Sequence, residues 1–156
     1  MKIRQAVSTD SLLLSSLCMD VQSLHAKHYP DLFKMPDNNE FAISFFNGML
    51  ADPMITILIA EENGQAVGYI MCKLVERPEN PFKFAMRYLD IDQISVCPEA
   101  QGRGIGTELI TQAGTLAKKL NVTSLQLNSW GLNIEAHAFF EKMGFEKFNH
   151  HFWKKL

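Results

Sequence analysis

The sequence has no paired cysteines. Cys18, Cys72 and Cys97 are odd in number, far apart and without a CxxC spacing, which argues against a disulfide framework or zinc knuckle and for reduced thiols in a cytoplasmic setting. Long apolar runs are missing too: MITILIA, residues 54–60, is too short to span a bilayer, and the opening MKIRQAV lacks the apolar stretch of a signal peptide. The expectation is a soluble protein with no membrane partner. No block of like charge occurs, and 15 basic against 17 acidic residues leave a net charge of −2, which gives no general attraction to nucleic acid. Neither an internal repeat nor a linker divides the chain. What is present is an apolar content of 47% over 156 residues, enough to core one domain spanning 1–156.

Periodicity suggests a first strand at 2–6, then a helix capped by Ser8 and running to about Lys27, with Leu14, Leu17, Val21 and Leu24 on one stripe. Tyr29-Pro30-Asp31 ends it. Asp37 followed by Glu40 reads as a capping box for a second helix with a core stripe of Phe41, Phe45 and Met49. MITILIAE and AVGYIMCKLV form two strands around an Asn63-Gly64 hairpin turn, and MRYLDIDQISV a third long strand. A helix from about 104 to 120 carries Ile105, Leu109, Ala113, Leu116 and Leu120; TSLQLNS is a strand; Asn133 caps a last helix that Gly144 ends; FEKFNHHFWKK is a closing strand or pair of strands. The fold class is therefore α/β (α+β), a mixed, mostly antiparallel sheet of six to seven strands with four helices.

Between the third long strand and its helix lies QGRGIGT, residues 101–107, with glycines at three alternate positions. A strand that feeds a helix through glycines presents unpaired amides where the helix dipole is positive, which suits a phosphate. The spacing GxGxG lacks the third glycine of a dinucleotide fingerprint, and no GKS or GKT marks a nucleotide loop. A ligand-free turn is the alternative.

Gln101-Gly102-Arg103-Gly104-Ile105-Gly106 resembles the Q/R-x-x-G-x-G/A pyrophosphate motif of the GCN5-related N-acetyltransferase (GNAT) superfamily. Asn133-Ile134-Glu135-Ala136, Phe139-Phe140-Glu141-Lys142 and Gly144-Phe145 resemble its second signature, N-x-x-A-x-x-(F/L)-Y-E-K-x-G-F. The element order follows the superfamily along essentially the whole chain. The resemblance implies acetyl-CoA as cosubstrate: the backbone of Ile94, Ser95 and Val96 would pair with its pantetheine arm, Gln101, Gly102, Arg103, Gly104, Ile105, Gly106 and Thr107 would wrap its pyrophosphate, and Asn133 and Phe140 would line the arm. Arg103 would either meet phosphate or face water, and Asn133 would contact the arm, cap its helix, or both.

An alkyl amine with a pKa near ~10 needs to lose a proton before it attacks a thioester. On a regular pleat Asp90, Asp92, Ile94 and Val96 share one face, and a bulge would reassign them. Relatives often carry the base at the position of Asp92 and some at that of Asp90, so the resemblance implies Asp92 as base with Asp90 second; binding the substrate ammonium is the competing role. Phe140 stands where many relatives carry a proton-donating tyrosine, which leaves Tyr88, Cys97 or a water as donor, or an unassisted thiolate. The acceptor wall by resemblance contains His25, His28, Tyr29, Phe33 and the 76–83 loop, with Glu40, Glu76 and Glu79 available to a cation. It suits a small-molecule amine as well as a peptide end. His25 and His28 have no third metal ligand. A non-catalytic acetyl-CoA sensor is the alternative function, and the aromatic NHHFWKKL segment is consistent with a homodimer or with an edge strand of a monomer.

Overall fold

A computed structural model describes all 156 residues. Strands β1 (Lys2–Gln5), β2 (Ile55–Glu62), β3 (Gln65–Arg77), β4 (Met86–Val96) and β5 (Leu125–Leu127) form one sheet in the order β1-β2-β3-β4-β5. Every pairing is antiparallel except β4 with β5, which is parallel. The helices are α1 (Ser11–Leu17), α2 (Met19–His28), α3 (Ile43–Ala51), α4 (Ile105–Lys119) and α5 (Ile134–Lys142). No helix is long and apolar enough to cross a membrane.

The fold class matches the sequence reading, with two differences in count. Five helices replace four because the first one breaks at Cys18, where ψ falls to −4° between α1 and α2. Five strands replace six or seven because residues 146–156 enter no backbone hydrogen bond with the rest of the chain.

The helices divide between the two faces of the sheet. On one face Ile105, Leu109, Ile110, Ala113 and Ala117 of α4 pack on Ile70, Cys72, Leu89 and Ile91, with Phe139 and Phe140 of α5, and Met143 just past its end, at the margin. On the other, Leu14 and Leu17 of α1 and Phe46 of α3 pack on Ile57, Ile59, Tyr69 and Met71. Each fully buried aliphatic or aromatic side chain contributes about 1.5–3 kcal/mol of transfer free energy. Because both faces are covered, β2 and β3 read as near-continuous apolar runs.

Local signals fared unevenly. Asn63 and Gly64 take φ of 51° and 79°, as a two-residue hairpin turn requires. Ser8 opens a short 3-10 turn instead of capping α1, and Asp10 does the anchoring: its carboxylate accepts from the Val7 amide at 2.8 Å and from Arg4 at 2.7 and 3.0 Å. The predicted Asp37–Glu40 box does not start α3. Glu40 donates its amide to Asn38 Oδ1 at 2.8 Å in a local turn, and the helix begins at Ile43. That shift rotates the stripe, so Phe46 is fully buried while Phe41 and Phe45 are 37% and 44% exposed.

Candidate functional site

The sheet is incomplete along one edge of β4. Strand β5 pairs with it only from Leu89 to Ile91, whereas β4 continues to Val96 with β3 alone beside it. The Cys97 amide donates to Val67 O at 2.9 Å, which fixes the alternation of the ladder. By that alternation Ser95 faces Tyr69 with its backbone groups, and the N–H and C=O of Ile94 and Val96 point to the open side. Ser95 itself is anchored elsewhere, its buried Oγ donating to Leu17 O at 3.0 Å and so fastening β4 to the end of α1.

Past Val96 the chain makes a 3-10 turn at Pro98–Ala100 and then reverses through Gly102 and Gly104, whose φ values of 72° and 82° lie in the left-handed region. A residue with a Cβ is strained there, so both glycines are demanded by the turn itself. Gly106 has a different reason: a Cβ would stand 3.2 Å from Cζ of Phe139, so its absence lets α5 close against the start of α4. Gly104 offers no side-chain cap, and the first helical backbone bond runs from Glu108 N to Gly104 O. The amides of Ile105, Gly106 and Thr107 are consequently unpaired at the positive end of a 15-residue helix. Gln101 borders the open edge, its Nε2 donating to Val96 O at 3.1 Å.

Arg103 is half exposed and also makes an ion pair that neither expectation included. Its Nη2 lies 2.5 Å from Glu62 Oε2, an ion pair that ties the glycine loop to the end of β2. The contact lacks hydrogen-bond alignment, and Glu62 Oε2 is buried with no donor aimed at it. Nothing in the sequence signals this pairing, since 41 positions separate the two residues.

The regular pleat that would align Asp90 and Asp92 with Ile94 and Val96 is broken. Cys72 opposes Ile91 and Met71 opposes Gln93, so Asp92 is an extra residue with no partner on β3. Before the bulge Leu89 and Ile91 face α4; after it Ile94 and Val96 do. Asp90 therefore lies on the opposite face, across from Lys73. Burial and then the Asp92 charge push the Asp90 carboxyl above its ordinary range, against the pull of Lys73 and Arg77. Asp92 is exposed at the bulge. Beneath it the buried Tyr69 hydroxyl donates to Gln93 Oε1 at 2.6 Å, a support that sequence reasoning missed. Burial above all raises the Tyr69 phenol, with Cys18 and then Asp92 adding to the shift.

Asn133 caps α5, its Oδ1 accepting from the Ala136 amide at 3.4 Å. Phe140 packs at 5.8 Å and 70° on Phe145 and at 5.4 Å on Phe139. Of the remaining donors considered, Tyr88 is buried, and burial followed by Asp20 and Glu99 raises the Cys97 thiol, which disfavours a thiolate nucleophile there. His25, Tyr29 and Phe33 gather with Trp130 into a ring cluster, with centroids 4.9 Å apart for His25–Phe33, 5.0 Å for Tyr29–Trp130 and 4.9 Å for Phe33–Trp130. The cluster joins the end of α2 to the segment after β5. Glu76 is not free for a cation, being held by Arg87 at 2.6 Å.

The sequence profile of the Acetyltransferase (GNAT) family matches residues 19–145. The uncharacterized N-acetyltransferase YhfO of Bacillus subtilis is 25% identical over 147 residues, 94% of this chain and 91% of the relative. A tetramutant of the BH1408 protein from Bacillus halodurans superposes over 100% of both chains with a TM-score of 0.94 at 22% identity. A predicted acetyltransferase from Clostridium acetobutylicum, solved with acetyl-CoA, matches 99% of this chain and 94% of its own with a TM-score of 0.72 at 23% identity. At such identities the structural matches establish the fold.

Proposed function

Because the chain belongs to the Acetyltransferase (GNAT) family and is an acyltransferase by that membership, we propose that it moves the acetyl group of acetyl-CoA onto a primary amine of a small molecule or peptide, by direct attack in a ternary complex, in the cytoplasm. The observation that carries this reading is the continuity of two surfaces whose backbone groups have no backbone partner, with only Gln101 Nε2 reaching the Val96 carbonyl. The open edge at Ile94 and Val96 leads straight into the free amides of Ile105, Gly106 and Thr107. An extended amide-bearing arm ending in a pyrophosphate matches that order of donors and acceptors: strand-like pairing for the arm, then bare amides and a helix dipole for the phosphates. Gln101, Gly102, Arg103 and Gly104 form the turn around the phosphates, and Asn133 and Phe140 border the arm from α5.

Bound acetyl-CoA supplies an activated acyl carbon, and the protein's part is to orient it and to manage the amine proton. Asp92, exposed at the bulge, takes that proton directly or through a water, with Asp90 second. As the N–C bond forms the C–S bond breaks, and the thiolate leaves without help from Phe140. Thiols have a pKa of about 8.5, so an unprotonated thiolate is a tolerable leaving group. The ring cluster of His25, Tyr29, Phe33 and Trp130 forms one wall for the acceptor.

The test is release of CoA, followed with a thiol reagent, from the protein given acetyl-CoA and a mixed panel of amines, beside an Asp92→Asn variant. Acceptor-dependent release that falls about 100-fold or more in the variant supports both the activity and the base. Release that survives unchanged keeps the transferase and removes Asp92 from it. Tight acetyl-CoA binding without turnover on any amine moves the reading to a sensor.

A further inference from the structure

A row of polar side chains crosses the sheet on the face opposite α4. Lys73 of β3 lies across from Asp90 of β4, and Asp90 across from Gln126 of β5. Tyr69 and Met71 of β3 pack under α1 and α3, so by alternation Lys73, Val75 and Arg77 turn to the same side. Past Met71 the cover opens: Lys73 and Arg77 are exposed, and Asp90 and Gln126 are half-buried. The exposed Asp92 acts electrostatically on Asp90 and on Tyr69, two groups of this face.

The cations of this face are free. Opposite charges directly across a ladder ordinarily attract, yet Lys73 and Asp90 form no ion pair. Of the four arginines, Arg4, Arg87 and Arg103 are each held by a carboxylate, and Arg77 is not. Arg77 instead lines a cleft of about 260 Å³ with Phe82, Lys83 and Phe84, at the turn between β3 and β4. Glu76 is taken by Arg87, and Glu79 pairs with none of these cations. The acidic side is the weaker counter-ion for a second ammonium, because burial and then the Asp92 charge disfavour the charged form of Asp90.

We propose that the acceptor carries an anionic group, carboxylate or phosphate, besides its reacting amine, and that Lys73, seconded by Arg77, holds that group while the amine lies against Asp92. The inference rests on the transferase reading above and names the class of amine which that reading leaves open. At ordinary strand spacing the Cα atoms of Asp92 and Lys73 stand roughly 7 Å apart, a gap that an amino acid or a short phosphorylated amine bridges. Lysine and arginine suit either anion, and a charged contact away from the reacting nitrogen orients the amine before its proton leaves. A polyamine would instead bring its second positive charge up to Lys73 and Arg77, which repel it.

Turnover of matched acceptors tests this: tyrosine against tyramine, γ-aminobutyrate against propylamine, and phosphoethanolamine against ethanolamine, with putrescine as the dication. Each is given with acetyl-CoA to the unaltered chain and to a Lys73→Glu variant. The unaltered chain should favour the anionic member of a pair by about 10-fold or more in kcat/KM, mostly through KM, and the pair that shows it tells carboxylate from phosphate. In Lys73→Glu the preference should vanish or turn toward putrescine, with acetyl-CoA bound as tightly as before. Should the variant fail to fold, the matched pairs on the unaltered chain decide. Equal turnover of both members, a preference for the uncharged amine or for putrescine, or a preference unchanged in Lys73→Glu overturns the proposal and leaves the transferase standing. Silence on every amine, anionic or not, overturns both.

Discussion

The two ends of β4 show how one strand serves two purposes. From Leu89 to Ile91 it is flanked on both sides, by β3 and β5, and Leu89 and Ile91 are almost completely buried. From Asp92 to Val96 it keeps β3 and loses β5, and the bulge at Asp92 turns its faces over. The first half stores stability; the second spends hydrogen-bonding capacity on whatever enters the gap. An unpaired backbone edge inside a fold is costly, and it persists where a ligand or another chain completes it.

Breaking the first half has the largest expected effect. Leu89→Ala leaves a cavity between the sheet and α4 and should destabilise the fold by about 2–5 kcal/mol in denaturant titration, with acetyl-CoA affinity in the surviving folded fraction little changed. Substitutions in the second half should show the reverse pattern. Gly104→Ala forces a Cβ onto a left-handed residue at about 1–2 kcal/mol and should weaken acetyl-CoA binding in calorimetry more than it weakens the fold.

Gly106→Ala sharpens the distinction, because its obstacle is the Phe139 ring and not the backbone conformation. Pairing it with Phe139→Leu should restore binding, whereas the same second substitution should do nothing for Gly104→Ala.

These contrasts also mark what a reader of the sequence can and cannot see. The glycine stretch and Asn133 announced a tight turn into a helix and a helix cap, since both are local demands of backbone conformation. The order of elements was legible for the same reason: apolar periodicity is written within each segment. The bulge at Asp92 was not, because it is a property of register against β3, and register depends on residues some twenty positions away in the chain. The Arg103–Glu62 pair and the Tyr69–Gln93 bond are likewise contacts between distant segments. Phe41 and Phe45 were misplaced because a turn at Asn38 delayed the helix, and a short delay rotates every later side chain around its axis.

Electrostatics sets apart two carboxylates, Asp10 ahead of α1 and Asp90 on β4. Hydrogen bonds from Arg4, foremost, hold the Asp10 carboxyl below its ordinary value. A depressed folded pKa stabilises the protein above the unfolded value near ~3.9, and that stabilisation is lost as pH falls through the folded pKa. Asp10→Asn should therefore cost about 1–3 kcal/mol at neutral pH, with the difference between variant and unaltered chain shrinking in acid. Asp90 has the opposite sign. Its raised folded pKa favours the fold most below the unfolded value, and that advantage is lost as pH rises through the folded pKa, so Asp90→Asn should flatten the decline.

The smallest effect is expected at the half-exposed Arg103–Glu62 pair. A double-mutant cycle there should give a coupling of about 1 kcal/mol or less to stability, falling with salt.

The most direct test is amide hydrogen exchange across β4 and the glycine loop, read residue by residue with and without saturating acetyl-CoA. Protection should appear at Ile94, Val96 and Ile105 to Thr107, with Lys2–Gln5 of β1 unchanged. Saturation of binding that left those amides exchanging as before would contradict the claim that this open edge and this turn hold the cosubstrate.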